Sequence, residues 1–146
     1  MLSGIITVYL FFLENDLNKF NINQRMRSEN FEDFDDFLEK LRSSGKLIIV
    51  EGAKDKNALK SLGITNTFMM NGKPLFKIVE EVAEITKECV ILTDFDSEGK
   101  KLYGRLNSGL QRLGVKVDHR FREFLIRKTR LSHVEGILSY KEHQNQ

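Results

Sequence analysis

The chain reads as an α/β protein: a three-layer domain with a mainly parallel four-stranded sheet flanked by helices. Three observations predict this. Short runs of β-favouring apolar residues alternate with amphipathic stretches of helical period, the pattern of βαβ crossovers. Two of those runs end in acid followed by glycine: Leu47-Ile48-Ile49-Val50 leads into Glu51-Gly52, and Val90-Ile91-Leu92-Thr93 into Asp94-Phe95-Asp96-Ser97-Glu98-Gly99. The 146 residues, 40% of them apolar, suffice for one core and one domain.

Residues 1–25 read as an N-terminal extension, either disordered, absent from the native start, or an ordered edge element; Met26 stands just before the first clear helix. Within it, Ile5 to Leu13 is uncharged and mostly apolar, but too short to span a bilayer and without the basic flank of a signal peptide. The domain proper is expected over 26–146, ending in a basic segment. Phe31, Phe34, Phe37, Leu38 and Leu41 recur at helical spacing, with Asn30 as N-cap and Gly45 as stop. The first strand is Leu47 to Val50. A helix over Lys54 to Leu62 turns Ala58, Leu59 and Leu62 inward and stops at Gly63.

A second strand spans Thr67 to Met70, and Met69, Met70 and Phe68 are expected in the core. The only proline, Pro74, then opens a helix with Leu75, Ile78, Val79, Val82 and Ala83 on one face. Strand three is Cys89 to Thr93, with the single cysteine as a small buried hydrophobe. After the acidic loop, a helix over Gly99 to Leu113 carries the stripe Leu102, Leu106, Leu110 and Leu113. Gly114 caps it, and Val115 to Val117 forms strand four. The tail holds one or two short helices around Phe121 to Lys128 and Ser132 to Tyr140.

A net charge of +2 conceals segregation. Residues 28–39 hold six acids and no base, whereas Gly99 to Arg130 holds ten bases against Asp118 and Glu123. Such a basic field attracts polyanions. With one cysteine no disulfide forms within the chain, which fits a reducing cytoplasm.

Acids at the tips of buried strands point to chemistry, because the carboxyl ends of parallel strands are where ligands bind. Glu51, Asp94 and Asp96 repel one another unless a divalent cation neutralises them. Asp94 and Asp96, two apart in extended chain, address one ion, and the following helix N-terminus favours phosphate. A calcium loop starting at Asp94 fails, since its twelfth position is Arg105 and not a glutamate. The Asp-x-Asp pair also resembles that of haloacid-dehalogenase-like phosphatases, a minor alternative.

Together, the Glu-Gly strand end, the intervening βα unit and Thr93-Asp94-Phe95-Asp96-Ser97-Glu98-Gly99 resemble the Toprim domain. That domain is shared by type IA and type II topoisomerases, DnaG-type primases, RecR-like repair proteins, OLD-family nucleases and the nucleases that mature 5S ribosomal RNA. The likeness is strongest to small stand-alone Toprim proteins and covers about residues 27 to 140. It implies a Rossmann-like Toprim fold, Glu51 as general acid/base and also a metal contact, and Asp94 and Asp96 as ligands of magnesium, with manganese as a substitute. Where several Toprim nucleases carry a base directly after Glu-Gly, this chain has Ala53 and places Lys54 next.

Lys54, Lys73, Lys100, Lys101 and Arg105 lie around the acidic loops in sequence; Arg120, Arg122, Arg127, Lys128 and Arg130 form a second basic group interleaved with Phe121 and Phe124. All ten are candidate contacts to nucleic-acid phosphates. His119, His133 and His143 show no zinc spacing and read as surface or structural residues. The leading function is therefore magnesium-dependent action on phosphodiester bonds of RNA or DNA, nuclease-like, in the cytoplasm, with a protein partner in RNA processing or DNA repair and no membrane. The alternative is a non-catalytic nucleic-acid-binding or scaffolding module that needs a partner.

Overall fold

Helix α1 (Phe34–Ser44) begins where Asp33 accepts the Asp36 N–H and ends at Gly45, whose φ of 64° only glycine adopts freely. The structure, a computed structural model, describes residues 31–146. The expected extension over 1–25 and the Asn30 cap lie outside the described residues; Asp33 is the cap, and Phe31 precedes the helix. Strand β1 (Leu47–Val50) is buried at every position, as a strand covered on both faces must be.

Helix α2 (Ala53–Ser61) leads to β2 (Thr67–Met69), α3 (Leu75–Ile85), β3 (Glu88–Leu92), α4 (Ser97–Arg112) and β4 (Lys116–Val117). Helix α5 (Arg120–Lys128), a 3-10 turn (Val134–Gly136) and α6 (Ile137–Gln144) complete the order. Pro74 stands one position earlier than expected, as the N-cap of α3. The sheet order is β2-β1-β3-β4, parallel throughout, with Val50 level with Met69 on one side and Leu92 on the other.

Alternation along the strands divides the core. Leu47, Ile49, Cys89 and Ile91 pack with Ile78, Val79 and Val82 of α3 and Leu106 and Leu110 of α4. On the other face, α5 packs on β3 and α1 packs on α5, with the Phe37 ring stacked on Phe124 at 4.8 Å and edge-on to Phe121 at 5.9 Å. The domain is thus a three-layer α/β fold, as its sequence predicts. Met70 and Cys89 are buried, and burial pushes the Cys89 thiol up to about 12, which makes it inert. Met69 and Phe68 are half-buried because β2 is the sheet edge. Leu113 does not join the α4 stripe: it caps the helix and is 48% exposed. Among the described residues no helix is long and apolar enough to cross a membrane.

One buried charge cluster ties the tail to the sheet. Asp118, after β4, takes a two-pronged bond from Arg120 (2.9 and 2.7 Å) and a third from Lys46 at 2.7 Å. Burial raises its carboxyl, but the Arg120 and Lys46 bonds outweigh burial and hold it well below the usual range. A depressed native value means that the stabilisation is present above the unfolded value and is lost as pH falls through the native one. Asp118→Asn is expected to lower unfolding free energy at pH 7 by about 2 kcal/mol, because it removes the charge that Arg120 and Lys46 share, while Lys46 keeps Glu88 at 3.1 Å. In urea titrations, that gap should close progressively below pH ~4.

Candidate metal centre

The chain leaves β1 toward β2 on one side and β3 toward β4 on the other, so the neighbouring tips of β1 and β3 form a topological switch point. Glu51 follows β1 and Asp94 follows β3 by two residues. The half-buried Glu51 carboxylate accepts the Asp94 N–H through Oε2 at 2.7 Å. Burial pushes the Glu51 carboxyl up; the N–H bond opposes this, and the Asp94 charge and side chain raise it further.

Asp94 Oδ1 accepts the Val134 N–H at 2.9 Å, and Phe95 N–H is held by the Ser132 carbonyl at 2.9 Å, so residues 132–134 are stapled over the β3 tip. Asp96 is the N-cap of α4, Oδ1 accepting the Gly99 N–H at 2.8 Å. The helix therefore starts at Ser97, two residues before the expected position. The other Asp96 oxygen, Oδ2, faces His133 Nε2 at 3.6 Å. One ligand atom each from Asp94, Asp96 and His133 lie within 4.8 Å of one another. Two carboxylates and an imidazole converging on one point fit a divalent cation, which supplies polarisation of a bound phosphoryl oxygen and stabilisation of a leaving oxygen.

Three residues shape this site in roles that no local sequence signal assigned to them. Asp55, in the first turn of α2, is 7% exposed; its Oδ2 accepts the Gly52 N–H at 3.1 Å, closing the turn after Glu51. Burial raises its carboxyl, and the charges of Asp94 and Glu135 add to this. The Glu-Gly-x-x-Asp spacing, an acid at the third helical position, was the available clue. His133 comes from the far end of the chain. Arg122, 3% exposed, donates to the Thr93 carbonyl and, at 3.0 Å, to that of Asp94, with its guanidinium over the Tyr103 ring at 4.6 Å and the Phe95 ring at 5.0 Å.

The ten basic candidates consequently part ways. Arg122 is turned inward under the acid loop, where no phosphate reaches it, and Arg120 forks onto Asp118. Lys73 bonds Glu81 at 2.9 Å and lies over the Phe68 ring. Lys54 is exposed on α2. Arg127, Lys128 and Arg130 are exposed near the end of α5, Arg127 within 3.5 Å of Glu123. Lys100, Lys101 and Arg105, with Arg112, follow α4 along a groove of about 790 Å³ shared with α3. Of the other histidines, His119 bonds the Tyr103 hydroxyl and His143 the Ser139 carbonyl.

Carboxylates at the switch point of a parallel sheet, beside a helix N-terminus, define the class of α/β domains that handle phosphates through a divalent metal. The Toprim domain matches residues 45–119, and the chain belongs to that family, whose role is metal-dependent and related to nucleic acids. A UPF0292 protein of Methanocaldococcus jannaschii is 33% identical over 120 residues, 78% of this chain and 94% of the relative. Another, of Pyrococcus furiosus, is 39% identical over 93 residues, 64% and 70% of the two chains. A solved structure of a protein from Aquifex aeolicus superposes with a TM-score of 0.66 at 26% identity, covering 71% of this chain and 97% of that one.

Proposed function

We propose that this protein is a divalent-metal-dependent nuclease of the Toprim type, with Asp94 and Asp96 as metal ligands and Glu51 as the group that holds or moves a proton. The observation that carries the reading is the joining of Glu51 to the metal loop: its Oε2 is fixed on the Asp94 N–H, with the Asp94 carboxylate close enough to raise its carboxyl. A glutamate raised by partial burial keeps its proton nearer neutral pH, as a general acid requires. Magnesium or manganese suits the two aspartates, each of which retains an oxygen not engaged by a backbone N–H. A strand of RNA or DNA would run from this site along α4, its phosphates meeting Lys100, Lys101, Arg105 and Arg112. Arg127 and Lys128 at the end of α5, with Arg130 just past it, offer a second contact, Lys54 in the first turn of α2 a third, and an RNA-processing or DNA-repair protein is the class of partner expected.

The test is cleavage of end-labelled RNA and DNA, single- and double-stranded, by purified protein in magnesium or manganese. Chelator should abolish cleavage, and Glu51→Gln should slow it roughly 10²- to 10⁴-fold. Asp96→Asn should abolish it while keeping an Oδ1 to cap α4, which an alanine would not. Replacing Lys101 and Arg105 by alanine should flatten the dependence of binding on salt by about one unit of log-log slope per lost phosphate contact. Cleavage that persists in both acid variants overturns the catalytic assignment. Binding without cleavage in every version makes the protein a nucleic-acid-binding module instead.

A further inference from the structure

We propose that His133 is the third protein ligand of the metal, through Nε2, and that it tilts the site toward manganese and away from magnesium. The inference rests on the reading of Asp94 and Asp96 as ligands and specifies which ion they serve. Nothing in the local sequence marks His133 out, since its neighbours in the site lie 37 and 39 positions earlier in the chain. The fold brings it there by two bonds, one on either side: Ser132 is held through its carbonyl by Phe95 N–H, and Val134 through its N–H by Asp94 Oδ1. The backbone of His133 is thus anchored to the two residues that precede Asp96.

The ring orientation suits a ligand. Ser132 Oγ lies 2.9 Å from Nδ1. With the proton on Nδ1 and donated to that hydroxyl, Nε2 carries a free lone pair on the side facing Asp96, the arrangement found around histidines that bind metals. The Nε2 to Oδ2 separation of 3.6 Å is too long for a hydrogen bond. It lies between the separations of neighbouring and opposite donors in an octahedron with bonds of about 2.1 Å, roughly 3 Å and roughly 4 Å, so a small side-chain adjustment lets both bind one ion. Both side chains are about half exposed, 52% and 43%, so a simple ion pair between them would contribute little. The histidine fills no core space either, which leaves the converging donors as the feature its position serves.

Selectivity follows from donor type. Magnesium is a hard ion that prefers oxygen throughout its octahedron and dehydrates reluctantly. Manganese accepts carboxylates equally well and, as the first member of the first-row series, loses less than magnesium when one oxygen donor is replaced by an imidazole nitrogen. One nitrogen among carboxylates and water therefore favours manganese over magnesium.

The test uses the full chain and the metal alone. Manganese is titrated by calorimetry and the bound ion examined by pulsed electron paramagnetic resonance, in the unmodified protein, His133→Ala and Asp96→Asn. Histidine nitrogen coupling is expected in the unmodified protein and absent from His133→Ala. The variant should bind manganese at least ~10-fold more weakly while its magnesium affinity changes by less than ~3-fold, as expected for loss of an imidazole ligand. A thermal melt of His133→Ala coincident with the unmodified protein excludes misfolding as the cause. Manganese bound without histidine nitrogen coupling, or equal losses for both ions, overturns the inference. Asp96→Asn separates the levels: if it loses both metals while His133→Ala loses neither, only the role of His133 falls. If it binds metal like the unmodified protein, the metal-centre reading falls with it.

Discussion

Gly99→Ala is expected to lower the melting temperature by roughly 10 °C and to weaken manganese binding at least ~10-fold, a large result for a single methyl group. Gly99 sits in the first turn of α4, buried, and its backbone is ordinary helix, so the constraint is space and not φ. A Cβ there would stand 1.9 Å from the Asp94 carbonyl oxygen and 2.5 Å from its carbon. The obstructing atoms are backbone, and they are held: Arg122 bonds that same carbonyl, and Thr93 Oγ1 donates to the Gly99 carbonyl at 2.8 Å. To admit the methyl, the β3 tip must move away from the start of α4. Asp94 would then leave Asp96, and the Gly99 N–H would leave its cap. Gly104→Ala on the same helix is the control, because nothing lies within 4 Å of its added Cβ. There, helix propensity predicts stabilisation of up to about 1 kcal/mol. Circular-dichroism melts and manganese titrations of the two variants check both effects, and equal behaviour would refute the packing argument.

Arg122→Met should destabilise the fold by about 3 kcal/mol, through the orphaning of two carbonyls that otherwise face the protein interior. Methionine keeps an unbranched apolar chain in place of the stem and removes the guanidinium, which bonds both carbonyls and lies over the Phe95 and Tyr103 rings, so the difference reports the loss of that group. Burial lowers the pKa of Arg122, while the nearby Glu51 and Asp94 carboxylates favour its charge. The residue therefore also supplies a cation beneath the acid cluster, and Arg122→Met should raise the repulsion that a metal must offset. Arg122→Lys is expected to recover little, since a single ammonium does not reproduce a fork that reaches two carbonyls. Urea unfolding reads both variants: the midpoint should drop with the slope unchanged. A shift for Arg122→Met below about 0.5 kcal/mol would mean that water or backbone movement satisfies those carbonyls without cost.

Much of the architecture was legible because it is written in local chemistry. Strand β1 falls where its four apolar residues and flanking turn chemistry put it, and α3 follows from Pro74 and the spacing of Ile78, Val79 and Val82. Glu51, Asp94 and Asp96 stood out because acids at the ends of apolar strands have little to do with packing. Element ends were displaced by two or three residues where a side-chain cap decides them, as Asp33 does for α1 and Asp96 for α4. The basic tail misled more. Charge in sequence does not distinguish a solvent-facing arginine from one folded inward onto carbonyls, and Arg122 is of the second kind.

Sequence alone therefore settles the kinds of element, their order and the acid-tipped strands, since periodicity, turn residues and caps act over a few positions. Tertiary structure alone settles what meets at those tips. The pairing of Val50 with Leu92 sets Glu51 against Asp94, and the return of the tail over β3 brings His133 to Asp96 and Arg122 beneath both. Those meetings join residues 28 to 43 positions apart, and only packing and strand register, not any local preference, fixes contacts over such separations.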